Sequence, residues 1–124
     1  MPDSRKRALV VDDDDPITTM LTKIVERQDL AVDAARDGAE AIDRLDGDGY
    51  SLILLDLMMP HVDGFQVLQH MEEHYPEKLK CTIVASALPE SEIRRRSHGP
   101  VYRIHTKPFD VSRLIADVEQ CLGG

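Results

Sequence analysis

The chain has 124 residues, room for one domain and no more. Apolar residues make up 42% and charged residues 31%, which excludes a wholly disordered chain, and the longest apolar runs, such as Leu52 to Leu55, are too short to span a bilayer. A net charge of -8, no Trp and few aromatics exclude a broad basic or base-stacking nucleic-acid surface.

Ala8 to Val11 reads as a buried strand. Pro16 to Gln28 follows as a helix, with Ile17, Met20, Leu21, Ile24 and Val25 on one face, Asp14 or Asp15 as its cap and Pro16 in its first turn. Leu30 to Ala35 is a weaker strand ended by Asp37-Gly38, and Ala39, Ile42 and Leu45 mark a short helix closed near Gly47. Leu52 to Leu55 is a strong central strand. Phe65, Leu68 and Met71 mark a third helix, stopped before Pro76. Thr82 to Ala85 is the fourth strand, and Pro89 to Arg96 is a poor helix with Ile93 as its one apolar residue. Val101 to Ile104 is a short fifth strand. Val111, Leu114, Ile115, Val118 and Leu122 form the stripe of a last helix, capped by Asp110. There is no internal repeat. The short apolar run after Arg5, Lys6 and Arg7 is no secretory signal, so the expected compartment is the cytoplasm. Cys81 and Cys121 have no metal-type spacing and read as structural thiols in a reducing compartment.

Five strands alternating with five helices imply parallel strands, right-handed crossovers and helices on both faces. In such sheets the ligand site lies beyond the carboxyl ends of the strands. There the chain places Asp12 to Asp15, Asp56, Ser86 and Thr106-Lys107-Pro108. Crowded carboxylates repel unless a cation or proton compensates. Mg²⁺ is the natural compensation, since it takes one or two carboxylates, keeps waters and accepts phosphate oxygens. Lys107 supplies a mobile point charge for a phosphoryl oxygen, and Ser86 a donor for another. These parts describe phosphoryl transfer to an aspartate.

The residues resemble the CheY-like receiver domain of bacterial response regulators. The matching stretches are Leu9-Val10-Val11-Asp12-Asp13, Leu54-Leu55-Asp56-Leu57-Met58-Met59-Pro60 with Asp63-Gly64, Ala85-Ser86-Ala87 and Thr106-Lys107-Pro108-Phe109. Ser86 and Lys107 follow Asp56 by 30 and 51 residues, near the family spacing. The resemblance covers essentially the whole chain, as one receiver domain over residues 1–124. It implies a flavodoxin-like, doubly wound five-stranded parallel sheet of order 2-1-3-4-5 flanked by five helices.

It also implies Asp56 as phospho-acceptor, and Mg²⁺, with Mn²⁺ as substitute, held by Asp12, Asp13, Asp56 and the backbone carbonyl of Met58. Ser86, Ala87 and Lys107 would bind the phosphoryl group. Ser86, Ile104 and Tyr102 would form the switch, and the peptide bond at Pro108 would be cis. The implied donor is a histidine kinase or phosphotransfer protein. A phosphorylation-dependent dimer belongs to the same picture, and neither a membrane nor direct nucleic-acid contact does. Met58 and Leu88 would flank the water approach to an acyl phosphate. Both are apolar, so a long-lived acyl phosphate is expected, and Ala87 leaves room for the phosphoryl group.

Several features depart from the family or compete with the reading. Ile104 stands where the family usually has a switching aromatic; Tyr102, two residues earlier, is expected on the same face. Ser97-His98-Gly99-Pro100 replaces the usual end of the fourth helix. His70 and His74 lie four apart on a helix, but Met71 stands where a zinc-protease helix needs Glu, so exposed histidines are expected. Arg94, Arg95 and Arg96 point about 100° apart and form a solvated or partner-binding face rather than one stripe. Two other classes compete. A haloacid-dehalogenase-type phosphohydrolase would carry Asp-x-Asp-x-Thr after the first strand, and this chain lacks the threonine. A phosphate-independent docking module is opposed by the complete acidic, hydroxyl and lysine set. The chain carries no output domain, as a single-domain regulator or the front of a longer one would.

Overall fold

The computed structural model describes residues 6–47, 49–59, 63–96 and 101–123. Pro60 and the 97–100 segment, both singled out in the sequence, lie outside them. The described elements are β1 (Arg7–Val11), α1 (Asp15–Glu26), β2 (Ala31–Ala35), α2 (Gly38–Gly47), β3 (Leu52–Leu55), α3 (Gly64–His74), a 3-10 helix (Pro76–Cys81), β4 (Thr82–Ser86), α4 (Glu90–Arg96), β5 (Arg103–Thr106) and α5 (Val111–Gly123).

All strand pairs are parallel and the sheet order is β2-β1-β3-β4-β5. The chain reverses its winding between β2 and β3, so the carboxyl ends of β1 and β3 lie side by side, with Val11 opposite Leu55. Strand alternation sorts the core into two layers. Leu9, Val11, Ile53, Leu55 and Val84 pack with Leu45, Val67, Leu68, Met71 and Ile93 from α2, α3 and α4. Ala8, Val10, Leu52, Leu54 and Ile83 pack with Leu21, Ile24, Val25, Leu114 and Val118 from α1 and α5. Each large aliphatic side chain so buried contributes about 1.5–3 kcal/mol, which fixes the central strands and hence their ends.

Aspartates cap three helix starts, Asp14 and Asp110 as expected and Asp37 in addition. Asp14 accepts from Ile17 N at 3.1 Å, Asp37 from Glu40 N at 2.8 Å and Asp110 from Arg113 N at 3.2 Å. Asp29, at φ 61°, takes the left-handed conformation that turns the chain from α1 toward β2.

Two expectations need correction. The fifth strand is Arg103–Thr106, not Val101 to Ile104. Its position is set by pairing with β4, from Ile83 opposite Arg103 to Ser86 opposite Thr106. An edge strand of mixed burial carries little hydrophobic signal to place it. The Pro76–Cys81 3-10 helix is a sixth helical segment; only Leu79 of it is buried, so it has no apolar period. Cys81 and Cys121 are free thiols, and burial raises both above the usual thiol value, which favours the protonated form.

Candidate functional site

The acidic edge is built by two adjacent strands. Asp12 and Asp56 directly follow β1 and β3, and their backbone N–H groups extend the sheet ladder to Ala35 O at 3.1 Å and Val11 O at 2.9 Å. Each side chain is thereby held in place. Asp12 Oδ1 accepts from Asp14 N at 2.9 Å, and Asp56 Oδ1 accepts from Met58 N at 3.2 Å. Asp12 and Asp56 are only 1% and 3% exposed, whereas Asp13 is exposed. One carboxylate oxygen from each of the three lies within 4.8 Å of the others.

Lys107, beyond β5, spans this group. Its Nζ is 3.3 Å from Asp12 Oδ2 and 3.6 Å from Asp56 Oδ2. Burial raises both carboxyls above their ordinary value, and backbone N–H donors and the Lys107 ammonium offset it only in part. For Lys107 burial acts downward, but Asp56 and Asp12 outweigh it and the ammonium is held above the usual lysine value. One ammonium against three carboxylates leaves the edge short of positive charge. The donors are all oxygens, with no His or Cys among the grouped residues. That set fits a hard divalent cation of the Mg²⁺ or Mn²⁺ type rather than a soft one.

Ser86 ends β4 fully buried; its Oγ accepts from Leu88 N at 3.3 Å, and its carbonyl accepts from Lys107 N at 2.7 Å. The second bond ties the lysine backbone to the serine strand. Ala87 is exposed beside it, and the Lys107–Pro108 peptide bond is cis. Gly64 seats the loop beneath Asp56. A Cβ there would collide with Asp56 O and stand 2.5 Å from Leu57 Cα. Asp63, just before it, forms a reciprocal capping box with Gln66 that anchors the start of α3.

Asp13, Leu57, Met58, Met59, Asp63, Phe65 and Arg96 line a cleft of about 330 Å³ beside the carboxylates. Arg96 was not legible as part of this region. Its guanidinium lies 3.9 Å from the Phe65 ring centroid, a cation–π contact between residues far apart in sequence. Its neighbours pair within their own helix, Arg94 with Glu90 and Arg95 with Glu92. The three arginines thus form no shared basic patch.

Tyr102 and Ile104 do not share a face, contrary to the alternation reading. Ile104 packs against the α2–α3–α4 layer and Tyr102 against the α1–α5 layer. The strand begins only at Arg103, so its alternation does not extend back to Tyr102. His70 also departs from expectation: it is half-buried and its Nε2 is 2.8 Å from Asp46 Oδ1.

Comparison with known proteins agrees with this geometry. The model of the response regulator receiver domain matches residues 8–119. The response regulator receiver protein CpdR of Brucella abortus is 31% identical over 122 residues, covering 94% of this chain and 97% of CpdR. The transcriptional regulatory protein ResD of Bacillus subtilis is 45% identical over 121 residues, covering 94% of this chain and 48% of ResD. The chain thus spans about half the length of that relative. Among solved structures, the response regulator TrrA of Thermotoga maritima, in complex with Mg²⁺–BeF, superposes with a TM-score of 0.78 at 26% identity. The alignment covers 94% of this chain and 99% of TrrA. A CheY-like receiver domain from Methanospirillum hungatei has the same fold, with a TM-score of 0.83 at 23% identity over 97% of this chain and 95% of its own. An acid-lined strand edge with its lysine, on a sheet of this order and with this match along nearly the whole chain, places the protein in the response regulator receiver domain family.

Proposed function

We propose that residues 1–124 act as one receiver unit in which Asp56 accepts a phosphoryl group from a histidine kinase or phosphotransfer protein. The observation that carries the reading is Lys107 Nζ lying between the buried Asp12 and Asp56 carboxylates, with Asp13 beside them. An Asp56 carboxylate oxygen attacks phosphorus; the O–P bond forms as the donor's N–P bond breaks, and the leaving imidazole nitrogen takes a proton. Asp12, Asp13, Asp56 and the Met58 carbonyl would hold Mg²⁺, with Mn²⁺ as a substitute. When bound, the cation supplies positive charge that offsets the phosphoryl oxygens and the carboxylates.

The chain's own groups do the rest. Lys107 exchanges its contact with Asp56 for one with a phosphoryl oxygen. The Ser86 hydroxyl turns from Leu88 N to donate to another. Ala87 presents only a methyl group, so the approach stays open. Ser86 movement, with Ile104 and Tyr102 along the same region, is the proposed route to the partner surface. Because Ile104 and Tyr102 pack in different layers, that route differs from a single ring swing. No described helix is long and apolar enough to cross a membrane. We place the domain in the cytoplasm as a signalling module rather than a turnover enzyme. It makes no direct nucleic-acid contact, and phosphorylation promotes a dimer.

The test is incubation with acetyl phosphate and Mg²⁺ followed by intact mass and peptide mapping. One phosphoryl group on the Asp56 peptide, absent in Asp56→Asn, is expected. Inorganic phosphate release without an adduct indicates a phosphohydrolase. No reaction in a folded sample indicates a phosphate-independent docking module.

A further inference from the structure

A second cluster of metal-ligating side chains lies outside the acidic edge, where α2 ends against α3. His70 and His74 are one turn apart on α3, and positions i and i+4 share a helix face. Their ring centroids are 4.4 Å apart and tilted by 44°. Asp46, near the end of α2, faces them: its Oδ1 is 2.8 Å from His70 Nε2 and accepts from the Tyr75 hydroxyl at 2.7 Å.

We infer that His70, His74 and Asp46 form a binding site for a divalent transition-metal ion of the Zn²⁺, Ni²⁺ or Cu²⁺ class, joining α2 to α3. Two imidazole nitrogens and one carboxylate oxygen are the ligand set such ions take, with water completing the shell. The same set suits Mg²⁺ poorly, since that ion prefers oxygen donors. The two sites therefore select different metals. Tyr75 occupies the position of an outer-shell donor, fixing the carboxylate that His70 already faces. Among the described residues, only Asp12, Asp13 and Asp56 hold three ligand atoms within 4.8 Å of one another as they stand. Closing the histidine site requires the exposed His74 ring to rotate toward Asp46, and the 2.8 Å hydrogen bond between His70 Nε2 and Asp46 Oδ1 to give way to the metal as the imidazole proton leaves. The inference does not depend on the chemistry of Asp56.

Titration calorimetry with ZnCl₂, in buffer holding saturating MgCl₂ to occupy the acidic edge, tests it. One Zn²⁺ per chain is expected. His74→Ala, at an exposed position, should weaken binding at least about tenfold, and Tyr75→Phe roughly tenfold through the outer shell. Circular dichroism checks that each variant is folded. Zn²⁺ should also raise the melting temperature of the wild type but not of His74→Ala. Absence of binding in the wild type overturns the inference. So does an unchanged affinity in His74→Ala, or binding that disappears in Asp12→Asn or in Cys81→Ser instead.

Discussion

Lys107 Nζ stands 3.3 Å from Asp12 Oδ2, an ion pair closed between residues 95 apart in sequence, and the same ammonium reaches Asp56 at 3.6 Å. Lys107→Met leaves both buried carboxylates without their cation. Breaking a fully buried pair costs roughly 3–5 kcal/mol; the partly solvated Lys107 predicts a loss at or below the lower end. The sign with pH follows from the raised carboxyls. A folded value above the unfolded one means that stability falls as pH rises through that window. The variant's deficit in EDTA is therefore largest near pH 7 and shrinks toward pH 4. Thermal melts of wild type and Lys107→Met across that range check it; a deficit that grows on acidification contradicts it.

Added cation should act in the opposite direction. Millimolar Mg²⁺ is expected to raise the melting temperature of the wild type, because a ligand that binds only the folded state stabilises it by mass action. Asp56→Asn should blunt the rise. The same substitution should leave the metal-free protein at least as stable as wild type, since it removes one of the crowded buried charges. A melting temperature indifferent to Mg²⁺ across the titration would count against the acidic edge as a cation site.

Much of this edge was legible because an α/β alternation forces every strand's carboxyl end to one side. Asp12, Asp56, Ser86 and Lys107 each follow or end a strand, so chain order alone grouped them. The two central strands were legible for a related reason: Leu9 to Val11 and Leu52 to Leu55 are apolar on both faces, as a strand covered by helices on either side must be. Strand β5 was not, because an edge strand reading Arg-Ile-His-Thr carries no such signal and only its ladder with β4 fixes it. The Arg96–Phe65 and His70–Asp46 contacts were invisible for a further reason. They join separate helices, and helix periodicity says which face a residue occupies but not what faces it across the groove.

Gly64 makes a sharp steric prediction. Its missing side chain lets Asp56 O and Leu57 Cα approach to distances no Cβ tolerates. Gly64→Ala must shift backbone rather than a flexible side-chain tip, so it is expected to cost about 1–3 kcal/mol, the range of an overpacked core. The shift falls on the loop that carries Asp56, so labelling by acetyl phosphate should slow as well. Denaturant melts and labelling rates on the same sample test both halves; an unchanged stability refutes the steric account.

At the opposite end of the sheet, Asp33 on β2 accepts two bonds from Arg7 Nη2, at 2.6 and 2.7 Å, and one from Tyr50 Oη at 2.8 Å. Burial acts upward on its carboxyl, but Arg7 and Tyr50 outweigh it and the group lies below the usual carboxylate range. A depressed folded value contributes stability at neutral pH that is lost as pH falls from about 4 through the folded value. Asp33→Asn should cost about 1–2 kcal/mol near pH 7 and nothing once the wild-type carboxyl is protonated. Converging acid-denaturation curves are expected; parallel curves would show that the ion pair contributes little.

The lifetime of the phosphorylated form is the last consequence of the site's chemistry. Hydrolysis of an acyl phosphate on Asp56 needs water in line with phosphorus, on the side away from the Asp56 oxygen. Met58 and Leu88 lie next to the acceptor and next to the Ser86 hydroxyl, where Leu88 N bonds Ser86 Oγ. Met58 is 54% exposed at the cleft it shares with Asp13, and Leu88 is half-buried. Neither side chain can take a proton from water or hold it in line. Positioned acid–base groups typically contribute at least roughly 10²-fold. Met58→Asn and Leu88→Glu are therefore expected to speed loss of phosphate by up to about that factor, with the double variant fastest. The measurement is decay of the intact phosphorylated mass after removal of acetyl phosphate, with Mg²⁺ held constant. Met58 is exposed, so Met58→Asn should leave the melting temperature nearly unchanged; Leu88 packs against the core, so a melt of Leu88→Glu at the assay temperature separates a kinetic effect from partial unfolding. If the polar variants decay no faster than the wild type, the two apolar side chains do not control water access, and the lifetime is set by the contacts of Lys107 and Ser86 with the phosphoryl oxygens.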